Sequence, residues 1–219
     1  MDFRRVEQPR GRVPGAHQQA YFRTAEDDAL RAPGRQAADD RRERPPGGLG
    51  DRPEAQLIED DAIAALTSKL FPLATVITPN MPETQALCEL AVEQGADAID
   101  YENGESISSE NDMVTAGHLL AGHFGCAVLV KGGHGTQDAS DVLVEPSGKV
   151  TWFRARRIDN PNTHGTGCTL SSAIASHLAL GETLPEAVNS AKLYLTGALE
   201  AQLDLGHGSG PMDHAWKWR

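Results

Sequence analysis

The hydrophobic pattern becomes regular only after about residue 56. From there, short apolar runs alternate with longer segments of helical period. In LIEDDAIAALTSKL the apolar positions Ile58, Ala62, Leu66 and Leu70 lie four residues apart, which predicts a helix. The runs ATVITPN and CAVLVKGG predict buried strands, and DVLVEPSGKVTWF predicts a β-hairpin.

Four further segments have the pattern of helices. PETQALCEL carries Pro82 in its first turn, and the segment from Asp112 to His123 has Ser109 as a candidate N-cap. CTLSSAIASHLAL and LPEAVNSAKLYLTGALEAQL are two long segments with apolar stripes. Strands that alternate with helices predict an α/β fold with a mostly parallel sheet between helical layers.

Residues 1–55 have a different composition from the rest of the chain. They contain 11 of the 15 Arg, none of the 5 Lys, and only eight large apolar or aromatic residues. Such a segment buries too little apolar surface to offset the entropy of ordering it. We expect a disordered tail here or an Arg-rich docking arm, although ten acidic residues nearly cancel the charge. Residues 56–219 are predicted to form the folded domain.

Charge and cysteine content exclude several classes of protein. The formal charge of −11 argues against a nucleic-acid binder held by phosphate contacts. No apolar run is long enough to predict a membrane span, and MDFRRVEQPR lacks the apolar stretch of a signal peptide. Three cysteines without a C-x-x-C motif fit a reducing compartment, so a cytoplasmic protein is expected.

The stretch NTHGTGCT is a glycine-containing loop that leads directly into an apolar helix. Helix N-termini present unpaired N–H groups and a partial positive charge, which suits an anion. Gly165, Thr166, Gly167 and Cys168 are therefore candidates to bind a phosphoryl group through their amides. The alternative is a tight turn with a helix cap. It is not a Walker A loop, because no Lys-Ser/Thr follows.

Cys168 is also a candidate proton acceptor or nucleophile. A thiol at a helix N-terminus generally has a lowered pKa and reacts as its thiolate. The alternative is an ordinary packing residue. Cys88 and Cys126 lie in a predicted helix and at the start of a predicted strand, and we expect both in the core.

Polar residues follow both predicted strands at the edge where α/β sheets bind ligands. Lys131 ends one strand and is a candidate phosphate-binding residue, the alternative being a solvated lysine. Asn80 and Glu83 follow the other strand and are candidates to organise Mg²⁺, or to form a helix capping box, or both.

Four histidines lie in or near glycine-rich loops without the spacing of a zinc site. They are interpreted as hydrogen-bonding loop residues: His134, His164, His207 and His214.

Several of these motifs together resemble a known family. VITPNMPETQAL, VLVKGGHG, DVLVE and above all NTHGTGCTLSSAIASHLALG, followed by GHGSGP, are similar to the hydroxymethylpyrimidine/phosphomethylpyrimidine kinases of thiamine biosynthesis. These enzymes belong to the ribokinase-like superfamily, in which most members have Asp where this chain has Cys168. The resemblance runs from about Leu57 to the C-terminus and implies a three-layer α/β/α fold.

The resemblance also implies a role for each candidate residue. Cys168 would be the base that activates the pyrimidine hydroxymethyl group. The amides of Gly165, Thr166 and Gly167 would form the anion hole for the transferring phosphoryl group. Lys131 would lie beside the ATP phosphates.

The remaining implied roles concern the nucleotide and its metal. Asn80 and Glu83 would belong to the motif that organises Mg²⁺ and its waters, with Glu83 toward the metal. The loop through His207 and Gly208 would close near ATP. The reaction implied is the ATP-dependent phosphorylation of hydroxymethylpyrimidine and then of its monophosphate.

One part of the family pattern has no counterpart here. Family members usually begin with a strand and a glycine-rich segment that supplies most contacts to the pyrimidine, and nothing in residues 1–55 is similar to it. The central sheet is therefore expected without its N-terminal strands. Our hypothesis is that residues 1–55 are a coding region read in the wrong frame, which the upstream nucleotide sequence would test.

Two other functions stay open at this point. One is a related kinase for pyridoxine or pyridoxal. The other is a truncated, non-catalytic remnant that binds nucleotide without turnover. The sequence does not decide the oligomeric state, and a homodimer is one alternative.

Overall fold

In the part of the chain that the structure describes, a four-stranded sheet lies between two layers of helices. The computed structural model describes residues 60–101, 106–133, 139–160, 163, 165–203, 205 and 210–218, so the predicted segment 1–55 lies outside the described residues. The strands are β1 (Val76–Ile77), β2 (Ala127–Lys131), β3 (Asp141–Val144) and β4 (Val150–Phe153). The helices are α1 (Asp60–Ala65), α2 (Met81–Glu93), α3 (Glu110–Phe124), α4 (Thr166–Ala179) and α5 (Leu184–Glu200).

The sheet has the order β1-β2-β3-β4 and is mixed. β1 and β2 are parallel, whereas the β2–β3 and β3–β4 pairings are antiparallel. The α/β class and the hairpin are therefore confirmed, but the described strands do not form a mostly parallel sheet. For the β3–β4 pairing the physical reason is the tight turn between these strands, in which the Gly148 N–H donates to Glu145 O at 2.8 Å. A turn of this length joins only antiparallel strands.

The alternation of side chains along β2 explains the three layers. Val128 and Val130 pack with α2 and α3 on one face of the sheet. Ala127 and Leu129 pack with α4 and α5 on the other face. Because both faces are covered, the strand is a continuous apolar run.

The two helices on the first face begin at side-chain caps. Ser109 Oγ accepts the Asp112 N–H at 3.1 Å, and Asp112 Oδ2 accepts the Ser109 N–H at 3.0 Å. This reciprocal pair satisfies two N–H groups that the helix geometry leaves unpaired, and it confirms Ser109 as the N-cap.

No helix in the described part of the chain is long and apolar enough to span a membrane.

The predicted first helix is regular only over its first part. α1 ends at Ala65, a π-helical turn follows over Leu66–Leu70, and a 3₁₀ turn follows over Phe71–Leu73. Two hydroxyls explain the change of geometry. Thr67 Oγ1 donates to Ile63 O at 3.0 Å and Ser68 Oγ donates to Ala64 O at 2.6 Å, so both compete with N–H groups for the carbonyls of the preceding turn.

Candidate active site

The carboxyl ends of β1 and β2 lie side by side because these strands are parallel. The Lys131 N–H donates to Pro79 O at 2.9 Å, and Asn80 pairs with Lys131 as an isolated parallel bridge. The structure therefore brings two of the sequence candidates, Asn80 and Lys131, next to each other. They lie on the rim where open α/β sheets bind ligands.

Asn80 and Glu83 form the N-terminal cap of α2. Asn80 Oδ1 accepts the Glu83 N–H at 2.8 Å, and Glu83 Oε2 accepts the Asn80 N–H at 2.7 Å. The capping box given by the sequence as one alternative is thus confirmed. It also holds the Glu83 carboxylate against the backbone of Asn80, which is the residue that pairs with Lys131.

The donor set at this rim fits Mg²⁺ only together with a nucleotide. Among the described residues, no group of three or more His, Cys, Asp or Glu side chains is placed to hold a metal ion. Mg²⁺ commonly takes one or two carboxylates together with substrate phosphates and several waters. A single carboxylate such as that of Glu83 is compatible with this pattern.

The backbone directly after β2 is fixed by a buried carboxylate. The Gly132 N–H donates to Asp141 Oδ1 at 3.0 Å. A Cβ atom at position 132 would lie 2.1 Å from Ser140 O, far inside van der Waals contact. Residue 132 must therefore be glycine for the chain to leave β2 in this direction.

Asp141 is itself held by a lysine from α5. Lys192 Nζ donates to Asp141 Oδ2 at 2.5 Å and to Ala139 O at 2.9 Å. The side chains of Lys192 and Asp141 are only 13% and 7% exposed. Removing one member of such a buried pair typically costs about 3–5 kcal/mol, because it leaves an uncompensated charge.

Sequence reasoning missed this ion pair. Its only local signals are that Asp141 is charged at the start of the apolar run DVLV and that Lys192 borders the apolar stripe of α5. Neither signal identifies the partner, since the two residues are 51 positions apart.

The second group of candidates lies at the start of α4. Gly165 is the N-cap with φ of 79°, a left-handed conformation that glycine adopts without strain. The Thr169 N–H donates to Gly165 O at 2.9 Å and so closes the first α-helical turn. Thr166, Gly167 and Cys168 form that turn, and all three are half-buried, so the turn is accessible to a ligand. N–H groups in this position bind anions in many proteins.

Cys168 differs from the other two cysteines in its surroundings. Cys88 and Cys126 are only 2% exposed, whereas Cys168 is half-buried. Burial raises the pKa of Cys88 to about 12 and the pKa of Cys126 to about 11. These two thiols therefore stay protonated at neutral pH and act as core residues, as expected.

An open groove of about 490 Å³ begins at Cys168 and follows α4. Its wall combines small and hydroxyl side chains of α4 with two rings from α5 and the C-terminal segment. The lining residues are Cys168, Thr169, Ser172, Ala173, Ser176, His177, Tyr194 and His214.

The C-terminal segment is anchored to α5 and reaches the start of α4. The Trp216 ring occupies the space above Gly197, where an added Cβ would lie 2.2 Å from the ring. The Asp213 N–H donates to Ala198 O at 3.3 Å. Met212 is buried, and its Cε is 3.9 Å from the position of a Cβ built on Gly165. The C-terminal segment therefore packs against the candidate anion loop.

The histidine predictions have different outcomes. Tyr194 OH and His214 Nδ1 lie 3.1 Å apart, within hydrogen-bonding distance, so His214 is a hydrogen-bonding residue as interpreted. His134, His164, His207 and Gly208 lie outside the described residues. The predicted closure of the 207–208 loop near a nucleotide therefore stays a prediction.

The chain matches one family over most of its length. The family of phosphomethylpyrimidine kinases matches residues 52–213. The hydroxymethylpyrimidine/phosphomethylpyrimidine kinase of Streptomyces coelicolor is 40% identical over 160 residues, which is 73% of this chain and 54% of that protein. The enzyme of the same name from Rhizobium meliloti is 42% identical over 165 residues, which is 74% of this chain and 56% of that protein.

Solved structures show the same fold. A Bacillus subtilis pyridoxal kinase in complex with ADP has a TM-score of 0.59 at 30% identity, covering 72% of this chain and 54% of its own. A Staphylococcus aureus pyridoxal kinase in complex with AMP-PCP and pyridoxal has a TM-score of 0.61 at 26% identity, covering 74% and 56%. The chain spans about half the length of the curated relatives it matches. From the family match and these identities, the chain belongs to the phosphomethylpyrimidine kinase family.

Proposed function

We propose that this chain takes part in the ATP-dependent phosphorylation of hydroxymethylpyrimidine and of its monophosphate. The observation that carries the proposal is the accessible first turn of α4, where Gly165 turns the chain so that Thr166, Gly167 and Cys168 follow at the helix N-terminus. This turn lies within the segment that matches the family.

In the proposed transfer step, each residue of that turn has one role. The acceptor hydroxyl oxygen attacks the γ-phosphorus of ATP, and the bond between that phosphorus and the ADP oxygen breaks. The Cys168 sulfur, as its thiolate, accepts the hydroxyl proton. The N–H groups of Gly165 and Gly167 would donate to the oxygens of the migrating phosphoryl group, where negative charge develops. The Thr166 N–H, which donates to Thr163 O at 3.3 Å in this structure, would exchange that long hydrogen bond for one to the phosphoryl group.

The rim beyond β1 and β2 would hold the rest of the nucleotide. The Lys131 ammonium would neutralise phosphate charge. Glu83, with the neighbouring Asn80, would hold Mg²⁺ through water or directly, and bound Mg²⁺ would offset the charge of the phosphates. The capping box supports this assignment, because it fixes Glu83 at the residue that pairs with Lys131.

A coupled assay of ADP release tests the proposal. Hydroxymethylpyrimidine, its monophosphate and pyridoxal are offered in parallel with ATP and Mg²⁺. Release that depends on the two pyrimidines supports the proposed function. If the chain neither binds MgADP in a calorimetric titration nor releases ADP with any acceptor, the proposal is wrong.

Two other outcomes identify the alternatives. Faster release with pyridoxal identifies a pyridoxal kinase, an alternative favoured by the likeness to the S. aureus pyridoxal kinase bound to AMP-PCP and pyridoxal. Binding of MgADP without release identifies a chain that retains only nucleotide binding. This second alternative is favoured by the extent of the match, which covers only 54% of the S. coelicolor enzyme.

A further inference from the structure

The pair of Asp141 and Lys192 joins three elements at one point on the rim. Asp141 begins β3 and is paired in register with Lys131 at the end of β2. Lys192 comes from α5 and contacts both Asp141 and the carbonyl of Ala139. The side chain of Asp141 thus accepts from α5 through one oxygen and from the Gly132 N–H through the other.

Stability alone does not explain why these residues are charged. Hydrophobic side chains of similar volume often replace a buried ion pair with no loss of stability. Only a carboxylate, however, offers one oxygen to a backbone N–H and the other to an ammonium group. The pair therefore specifies the conformation of the chain at Gly132 rather than simply filling space.

The backbone on both sides of Lys131 is held in this way. On one side the Lys131 N–H is bound by Pro79 O, and on the other the Gly132 N–H is bound by Asp141. The close approach of Ser140 O to Gly132 leaves no room for the turn to shift in that direction.

We propose that Asp141 and Lys192 are positioning residues for nucleotide binding, which hold the turn from Lys131 to Gly133 in the conformation that receives the phosphates. The inference rests on the proposed function, because it assumes that Lys131 binds nucleotide phosphate. Neither residue needs to touch the nucleotide, since they act through the backbone that carries Lys131.

The test compares nucleotide affinity with stability in the full chain. Binding of MgADP is measured by calorimetry, and the free energy of unfolding by urea titration. The variants are Asp141→Asn, Lys192→Met and the double variant. The double variant has no buried unpaired charge, so we expect it to fold even if a single variant does not. Lys149→Met is the control, because it breaks the ion pair with Glu145 near the opposite end of β3.

We expect the single variants to lose both stability and nucleotide affinity. The double variant should regain most of the stability while its affinity for MgADP stays about tenfold or more below wild type, because the ion pair that fixed the Gly132 acceptor is gone. The control should bind MgADP like wild type.

Two results would overturn the inference alone, and a third would bear on the proposed function as well. Wild-type affinity in the variants, or affinity that returns together with stability in the double variant, shows that the pair has a structural role only. Absence of MgADP binding in the wild-type chain removes the premise of this inference, and together with absent ADP release it refutes the proposed function. The wild-type titration alone reveals that case, so the two failures are distinguishable.

Discussion

Replacing Gly132 by alanine tests whether the exit from β2 is as constrained as its contacts indicate. The added Cβ would lie 2.1 Å from Ser140 O and 3.3 Å from Met113 Cε. The methionine side chain can move, but the carbonyl of Ser140 belongs to the backbone just before β3. The substitution therefore forces apart the two backbone segments, at Gly132 and at Ser140, where the Gly132 N–H donates to Asp141.

The expected cost follows from the two interactions that the substitution damages. Forcing an extra methyl group into a packed site typically costs about 1–3 kcal/mol. Loss of a hydrogen bond to a charged acceptor costs about 1.5–3 kcal/mol more. We therefore expect Gly132→Ala to lower the free energy of unfolding by about 3 kcal/mol or more, which for a chain of this length lowers Tm by roughly 6–12 °C.

The neighbouring glycine supplies a matched control. A Cβ at Gly133 would meet nothing within 4 Å, so Gly133→Ala should unfold within about 0.5 kcal/mol of wild type. Urea and thermal unfolding of the three proteins, followed by circular dichroism, measure the difference. Equal stability of the two variants would refute the argument that Ser140 O and Asp141 fix the chain at residue 132.

Three further predictions concern the thiols and the C-terminal segment. Cys168→Ala should reduce turnover by about 10²–10⁴-fold and leave MgADP affinity unchanged, as measured by coupled assay and calorimetry; unchanged turnover would remove Cys168 from the proton transfer. Because the folded-state pKa values of Cys88 and Cys126 are raised from 9.0 to about 12 and about 11, their contribution to stability is complete below pH 9 and is lost as the pH rises above it. Each thiol should reduce the free energy of unfolding by about 1.4 kcal/mol per pH unit in that range, and Cys88→Ala should lessen the slope; an identical slope would contradict this. Gly197→Ala should displace the Trp216 ring, seen as a red shift in tryptophan emission, and an unchanged spectrum would show that the ring does not pack on this glycine.

The features that sequence predicted correctly are those that depend on neighbours along the chain. The cap of α3 at Ser109 needs only a side chain three residues away, and the β3–β4 hairpin needs only its turn. The apolar run of β2 likewise predicts its own burial on both faces. For the cap and the hairpin, the interaction that decides the local structure lies within a few residues of the pattern that predicts it, whereas the burial of β2 is made by distant helices and is predicted from its composition alone.

The features that sequence did not predict depend on contacts across the fold. The Asp141–Lys192 pair spans 51 positions, and Met212 reaches Gly165 from the far end of the chain. The Thr67 and Ser68 hydroxyls change the helical geometry after α1 because they compete for carbonyls, an effect that apolar spacing does not record. The apolar pattern likewise gives the burial of each strand but not the direction of its pairing.

Helix α5 connects both parts of the candidate site although none of the residues predicted from sequence lies on it. Through Lys192 it holds Asp141 and so the turn after Lys131. Through Gly197 and Ala198 it holds the C-terminal segment that packs Met212 against Gly165. It also packs along α4, whose first turn carries Cys168. The position of the anion loop at Gly165 relative to the rim at Lys131 therefore depends on α5, because this one helix contacts the segments that hold both.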